Sequence, residues 1–367
     1  MKKILFYSFI LILFSLISVV NGDTFDFYSD NRFSTKANGR GYTGIANIDG
    51  ISNVILNPAS LDIKNELQVH FEYVYKNTVP WLIEDWYLKP LSPIFLAGCG
   101  IPINKYFQTG VVYYIKNSYQ LEMKTVIEMS PGGDIENVYQ SDEEKIYSLL
   151  IPFTVKYKNI RFGVNLDSLN YVFTSRVIME GKVYYNLSAE GKFEKLVPKF
   201  GVIFSPNESL SIGITFVPET EETMKVNKKS NISGEYVEEE HIIFPLKLAV
   251  GIKHKPKVLP IWYYIDCNYS NESKIDKSFV DRIDFHFGLD YEISNKLILR
   301  TGVFTQKDYR SEDTKKSFGS IDQVFATFGF SYKIGVIELN FSLMDSHLFS
   351  FGEIKQTYAN CGLSFNF

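Results

Sequence analysis

The nine residues 283–291, Ile-Asp-Phe-His-Phe-Gly-Leu-Asp-Tyr, place Ile283, Phe285, Phe287, Leu289 and Tyr291 on one face of an extended chain. Asp284, His286, Gly288 and Asp290 fall on the other. The period is two, which is that of a β-strand and not of a helix. The same alternation returns at Val324–Tyr332, at Ile337–Leu343 around Glu338, Asn340 and Ser342, and at Ala359–Phe367. After residue 65 the helical spacing of apolar residues is almost absent.

Length and connections separate the two folds that share this period, a soluble sandwich and a membrane barrel. Counting back from the C-terminus, strands are expected near 357–367, 335–344, 321–332, 296–305, 281–291, 261–270, 241–253 and 209–217. Earlier ones are expected near 183–205, 160–178, 146–157, 107–128, 93–102 and 66–76. Short turns such as Lys333-Ile334, Lys158-Asn159 and Asn104-Lys105 alternate with long, charged connections at 345–356, 306–320, 271–280, 218–240, 129–145 and 77–92. An outer-membrane barrel has short periplasmic turns and long outer loops, and so produces this alternation, whereas a sandwich does not. The expected fold is all-β, an antiparallel transmembrane β-barrel of about 14 strands. The even count puts both chain ends on the periplasmic side. A closed sheet is required because lipid offers no partner to an unpaired backbone N–H or C=O.

Composition agrees. Met1-Lys2-Lys3 followed by the apolar run Ile4–Val20 reads as a secretory signal peptide over residues 1–22. Removing Lys2 and Lys3 from the 38 basic residues leaves 36 against 42 acidic ones, a net charge of −6 with no basic block, which argues against nucleic acid. Cys99, Cys267 and Cys361 are odd in number and lie in apolar runs, so they read as buried or lipid-facing small residues. Thirty Phe, 24 Tyr and 3 Trp make 16% of the chain aromatic. Past the leader no apolar run approaches the 18 residues of a membrane helix.

The N-terminal stretch Asn38–Leu61 contains Gly39-Arg40-Gly41-Tyr42-Thr43-Gly44, a literal G-x-G-x-x-G. A dinucleotide site needs that string after a buried strand and before a helix. Here Ser29–Lys36 is polar, Gly50 and Pro58 follow, and no βαβ unit exists downstream. The segment instead resembles the N-terminal signature of FadL-like transporters and the related PorV/PorQ barrels, a Gly-rich stretch leading to an Asn-Pro-Ala-Gly-Leu-like motif. The residues carrying the resemblance are Ala37–Ala46 and Asn57-Pro58-Ala59-Ser60-Leu61, with Ser60 in place of the usual glycine. The likeness implies a luminal hatch over 23–65 and a barrel over 66–367. It also implies that the terminal Phe367 is the signal read by the barrel-assembly machinery. Gly39, Gly41, Gly44, Asn57, Pro58 and Ala59 then serve tight turns and close approach to the wall.

No catalytic or metal pattern emerges. His70, His241, His254, His286 and His347 are scattered, and G-x-S-x-G is absent. No enzyme activity and no cofactor are expected. Asp284, His286, Arg300, Glu338 and Lys247 are expected to face the lumen, where charge is cheaper than in lipid. Pro152 and Pro245 lie inside expected strands, where each removes a ladder donor and marks a bulge or a wall gap. Two functions stay open. One is a passive channel for hydrophobic small molecules, with Trp81, Trp86, Phe349 and Phe351 as loop aromatics that receive the ligand. The other is a PorV-like accessory of a protein-secretion machine.

Overall fold

The computed structural model describes residues 32–64, 66–79, 86–90, 94–128, 135–180, 184–318, 320–349 and 355–367. The expected signal peptide, the first part of the hatch segment, Trp81 and Phe351 lie outside them, as does the side chain of Trp86.

Seventeen strand segments form one antiparallel sheet. In chain order they are β1 (Gln68–Val79), β2 (Trp86–Pro90), β3 (Ile94–Pro102), β4 (Phe107–Glu128), β5 (Ile135–Tyr157) and β6 (Ile160–Glu180). Next come β7 (Tyr185–Asn207), β8 (Leu210–Val217), β9 (Thr220–Ser230), β10 (Gly234–Phe244), β11 (Lys247–His254) and β12 (Ile261–Ser270). The last are β13 (Arg282–Glu292), β14 (Leu297–Gln306), β15 (Gln323–Ile334), β16 (Ile337–Asp345) and β17 (Lys355–Asn366). β2 and β3 both pair with β4 and form one stave. β8 continues into β9, and β10 into β11. Fourteen staves result, and β1 pairs with β17 from Gln68↔Asn366 to Val79↔Lys355, which closes the barrel. The terminal residue helps to seal that joint: Glu66 N donates to Phe367 O at 3.0 Å and Phe367 N to Leu67 O at 2.9 Å.

The alternation is inverted relative to a water-soluble sheet. On β13, Phe285 is 58% exposed while Asp284 and His286 beside it are 6% and 3%. Apolar residues face out because lipid is their solvent, and polar ones turn inward to find partners. Arg300 and Glu338 are buried on the inward register, and Lys247 shares that register with buried Ala249. Cys99 and Cys361 are exposed on the outward face and, with Cys267, are free thiols.

Two of the long connections expected from the sequence are largely strand. The region 129–145 holds the start of β5, and 218–240 holds the hairpin of β9 and β10. β5 and β7 have 23 residues each, about 75 Å of contour and roughly 55 Å of height at the usual tilt, against an apolar band of about 25 Å. The upper half of β4–β7, with the β9–β10 hairpin, stands in water, where charged residues tolerate either face. That is why a strand there reads as a loop. Helical structure among the described residues is confined to short pieces, α1 (Thr35–Gly39), α2 (Glu312–Phe318) and 3-10 turns. None is long and apolar enough to cross a membrane.

Candidate functional site

Residues 32–64 touch the wall on several sides, which places them in the lumen. α1 packs on β14 to β17, the turn Ile51–Asn53 on β1 and β3, and the turn Pro58–Ser60 on β5, β6 and β7. Most of this segment is irregular, so its buried backbone groups lack ladder partners and must find others. Inward wall side chains supply them. The Glu72 carboxylate accepts from Ser34 N and Thr35 N, both at 2.8 Å. Asp266 accepts from Gly44 N at 2.7 Å and Ile45 N at 3.0 Å. Thr154 Oγ1 donates to Pro58 O (2.7 Å), Asn165 Nδ2 to Val54 O (2.8 Å) and Lys199 Nζ to Ile55 O (2.6 Å).

The motif residues lie where this segment meets the wall. Gly41 has φ +72°, a conformation that favours glycine, and a Cβ there would come within 2.8 Å of Val303 O. A Cβ on Gly39 would be 3.0 Å from Gly329 Cα, and one on Gly44 2.6 Å from Asn53 Oδ1. Asn57 is extended ahead of Pro58 and caps the turn, accepting from Ala59 N (2.9 Å) and donating to Ile45 O (2.6 Å). Pro58 is buried, and Ala59 is fully so.

Opposite these glycines stand others in the wall, which the reading of the sequence missed. Gly163 faces Gly201, Gly213 faces Gly251 and Gly288 faces Gly302 across adjacent strands, all on the inward register. A Cβ at Gly163 would sit 2.5 Å from Pro58 O, and one at Gly302 2.5 Å from the Arg40 carbonyl carbon. The belt has no side chains because the luminal segment occupies their space. Its signal was legible: the strand-like runs Phe162-Gly163-Val164, Phe200-Gly201-Val202, Val250-Gly251-Ile252 and Phe328-Gly329-Phe330 each carry one glycine on the polar register.

Charge ties the segment to the wall at β6, β13 and β16. The fully buried Arg40 pairs with Asp49 and with Asp290 (3.4 Å), and its guanidinium lies 4.7 Å above the Tyr264 ring. Lys36 pairs with Glu338 at 2.7 Å and Asp62 with Arg161 at 2.6 Å. Burial opposes ionisation of Asp49, but Arg40, with Lys36 and Lys253, outweighs it and holds the carboxyl well below its ordinary range. Ser364, His70 and Glu72 form a relay, with Ser364 Oγ 2.7 Å from His70 Nδ1 and His70 Nε2 2.8 Å from Glu72 Oε1. Ser364 is buried and Glu72 already receives two backbone N–H groups, so the relay anchors the segment and has no room for a substrate.

Above this level the inner wall is mixed, with Gln140, Asp142 and Glu144 of β5 buried on the inward register beside an apolar patch. Phe173, Ala189, Met224 and Val226 cluster with Tyr171, Phe193 and Ile242, and Tyr171 stacks on Phe193 at 5.0 Å. Beside the cluster the wall is interrupted. β7 pairs with β9 only as far as Lys192↔Lys225 and with β8 only from Phe200↔Phe216. Residues 193–199, including Pro198, stay paired to β6 but have no ladder partner on the β8/β9 side. Lys195 Nζ bridges that seam, donating to Glu221 O (2.8 Å) and Glu222 Oε2 (2.9 Å). Pro152 and Pro245 lie elsewhere. Pro152 is paired with Asn165 of β6, while on its β4 side the ladder skips from Thr109↔Phe153 to Val112↔Leu150; Pro245 sits at the break between β10 and β11, across which the register with β8/β9 is kept. A polar opening of about 500 Å³ at the short-turn end is lined by Asp62, Lys64, Lys105, Gln108 and Lys156 among others. Phe349 is exposed on its loop, and Phe367 is exposed at the C-terminus.

No family model and no curated protein sequence matches the chain. Among solved structures it is similar to a Pseudomonas aeruginosa FadL homologue, with TM-score 0.67 and 11% identity over 92% of this chain and 99% of that one. It is similar also to the Ralstonia pickettii toluene transporter TbuX, with TM-score 0.66 and 12% identity over 92% and 98% of the two chains. A third is the P. putida toluene transporter TodX, with TM-score 0.58 and 11% identity over 90% and 97%. The chain therefore has the fold of the FadL-type barrels.

Proposed function

We propose that the protein is an outer-membrane channel through which hydrophobic small molecules enter passively, and that it is not an enzyme. In this reading a ligand enters among the aromatics of the outer extension, passes the apolar patch around Phe173 and Met224, and leaves sideways into the bilayer between β7 and β8/β9. The luminal segment below blocks a straight passage and acts as the hatch. The observation that carries the reading is the unpaired stretch 193–199 of β7, set beside the Phe173–Met224 cluster. An unpaired ladder inside a barrel wall is costly in lipid, and a wall built only to close would not keep one. From the short turn at 208, residues 193–200 stand roughly 20–35 Å up the tilted wall, the level of the outer leaflet.

Solved structures of the same fold are described as toluene transporters, which favours a small apolar cargo over the secretion-accessory alternative. The test is uptake of a monoaromatic hydrocarbon into proteoliposomes carrying Lys195→Cys and Glu222→Cys in a background with Cys99, Cys267 and Cys361 replaced by Ser, before and after joining the two thiols with a short bis-maleimide. Uptake should fall severalfold once the seam is stitched and should be unchanged in either single-cysteine protein. Equal uptake with the seam stitched refutes lateral exit.

A further inference from the structure

β10 leaves one edge of the sheet open above the membrane. It pairs with β9 along its whole length, from Gly234↔Ser230 to Phe244↔Thr220. Its other side has no neighbour among the described residues, because β12 begins its pairing with this stave only at Lys247↔Ser270. Among the described residues no backbone hydrogen bond joins 234–244 to any element but β9. The adjacent loop bonds once, Asn271 N to Leu246 O at 3.0 Å, and then departs toward β14 through the bridge Phe279↔Arg310. The outward apolar residues Leu248, Val250 and Ile252 of β11 mark the membrane band, and the part of the edge above the level of the seam, residues 234–239, stands in water.

An open edge in water is a template for another strand. Its occupant is constrained by charge. β10 carries Glu235, Glu238, Glu239 and Glu240 and no lysine or arginine. Pairing with a second copy about a dyad at Glu239 would set Glu238 against Glu240, and like charges directly opposite are destabilising. β9 shows what does fit. Its Lys228 reaches both Glu238 and Glu240 (3.8 Å), and its Lys229 pairs with Glu235 at 2.5 Å. Glu238 and Glu240 keep about half of their side-chain surface free, at 52% and 41%.

We propose that the open edge of β10 binds an extended, lysine- or arginine-bearing segment of a partner protein by strand addition. Backbone bonds supply the attachment, and the row of carboxylates supplies the choice of a cationic strand. This site is distinct from the seam: the seam opens on the β7 side of β9, whereas the free edge is on the far side of β10.

The experiment uses the full chain in nanodiscs and a fluorescent nine-residue peptide of alternating Lys and Thr. One control has the same sequence with alternate backbone nitrogens methylated, which keeps the charge and removes one edge of donors. The other control replaces Lys by Glu. The Lys–Thr peptide should bind, with at least tenfold weaker binding for both controls and for the exposed variant Glu235→Gln/Glu239→Gln. A ¹³C-labelled peptide carbonyl should shift to the strand position in the infrared on binding. Equal binding of the methylated peptide means charge attraction without a ladder and overturns the proposal. No binding means that the glutamates only blunt the edge, and overturns it too. A peptide-free dimer that competes with the peptide in sedimentation overturns the choice of partner.

Discussion

Gly213→Val tests whether the glycine belt seats the luminal segment. Gly213 is buried on the inward register of β8, and an added Cβ would lie 2.5 Å from the Ile45 carbonyl carbon and 2.7 Å from Ala46 Cα. Both atoms are backbone, so the clash cannot be relieved by turning a side chain. Ordinary contact begins near 3.4 Å, so the segment must retreat by about 1 Å, and the γ-methyls of valine push it further. That movement spoils the two bonds that Asp266 accepts from Gly44 N and Ile45 N, and the bond from Asn57 Nδ2 to Ile45 O. Charge-assisted bonds contribute about 1.5–3 kcal/mol each and neutral ones about 1, so docking weakens by roughly 3–5 kcal/mol when some water replaces them. The barrel keeps its ladder and its lipid face, because valine suits a strand.

Limited proteolysis of the folded barrel reads the docking directly. Where opening is fast relative to cleavage, the cutting rate follows the open population, and about 3 kcal/mol corresponds to roughly a hundredfold. Cleavage within 32–64 should accelerate by that order, while the barrel still runs as a folded species on an unheated gel. Ile214→Val, one residue along on the outward face, should leave the rate unchanged. If Gly213→Val cuts no faster than the parent protein, the segment does not depend on the belt and the packing argument fails.

Three further outcomes follow from the same contacts. Arg40→Gln removes the cation paired with Asp49 and one of the two facing Asp290, which keeps Arg300 at 3.4 Å, and should weaken docking by about 3 kcal/mol, read as faster cleavage within 32–64; an unchanged rate would show that the pairs contribute nothing. Against burial, Arg40 depresses the native pKa of Asp49 below the ordinary carboxylate value, so the contribution of Asp49 is complete above that value and is lost as pH falls through the native one. The part of the protection of 32–64 that Asp49→Asn removes should therefore be flat from pH 8 to 5 and begin to fall only below about 4, whereas a difference between the two proteins that already declines near pH 6 would contradict this assignment. Deleting Phe367 removes the partner of Glu66 N and the donor to Leu67 O at the closing joint, and should lower the folded fraction on an unheated gel severalfold; unaltered folding would show that closure does not need them.

The strand order, the inward and outward faces and the alternation of short and long connections were readable in the sequence. Each is a local, period-two property that lipid on one side enforces: Phe285 and Phe287 face out and Asp284 and His286 in, wherever the strand sits in the barrel. The same rule loses its force outside the bilayer, so the upper parts of β5, β9 and β10 read as loops, since water admits charge on both faces. The site was legible only in fragments. Gly39, Gly41 and Asn57 announce tight turns, but nothing local tells which wall strand each approaches. That Gly41 meets Gly302, Pro58 meets Gly163, and Arg40 meets Asp290 depends on how fourteen staves close around one irregular segment. The seam at 193–199 is likewise a tertiary property. β7 is regular strand by its own residues, and those seven go unpaired where its register shifts by one residue between β9 and β8. Period and polarity belong to the chain, whereas register between distant strands is set by closure of the sheet.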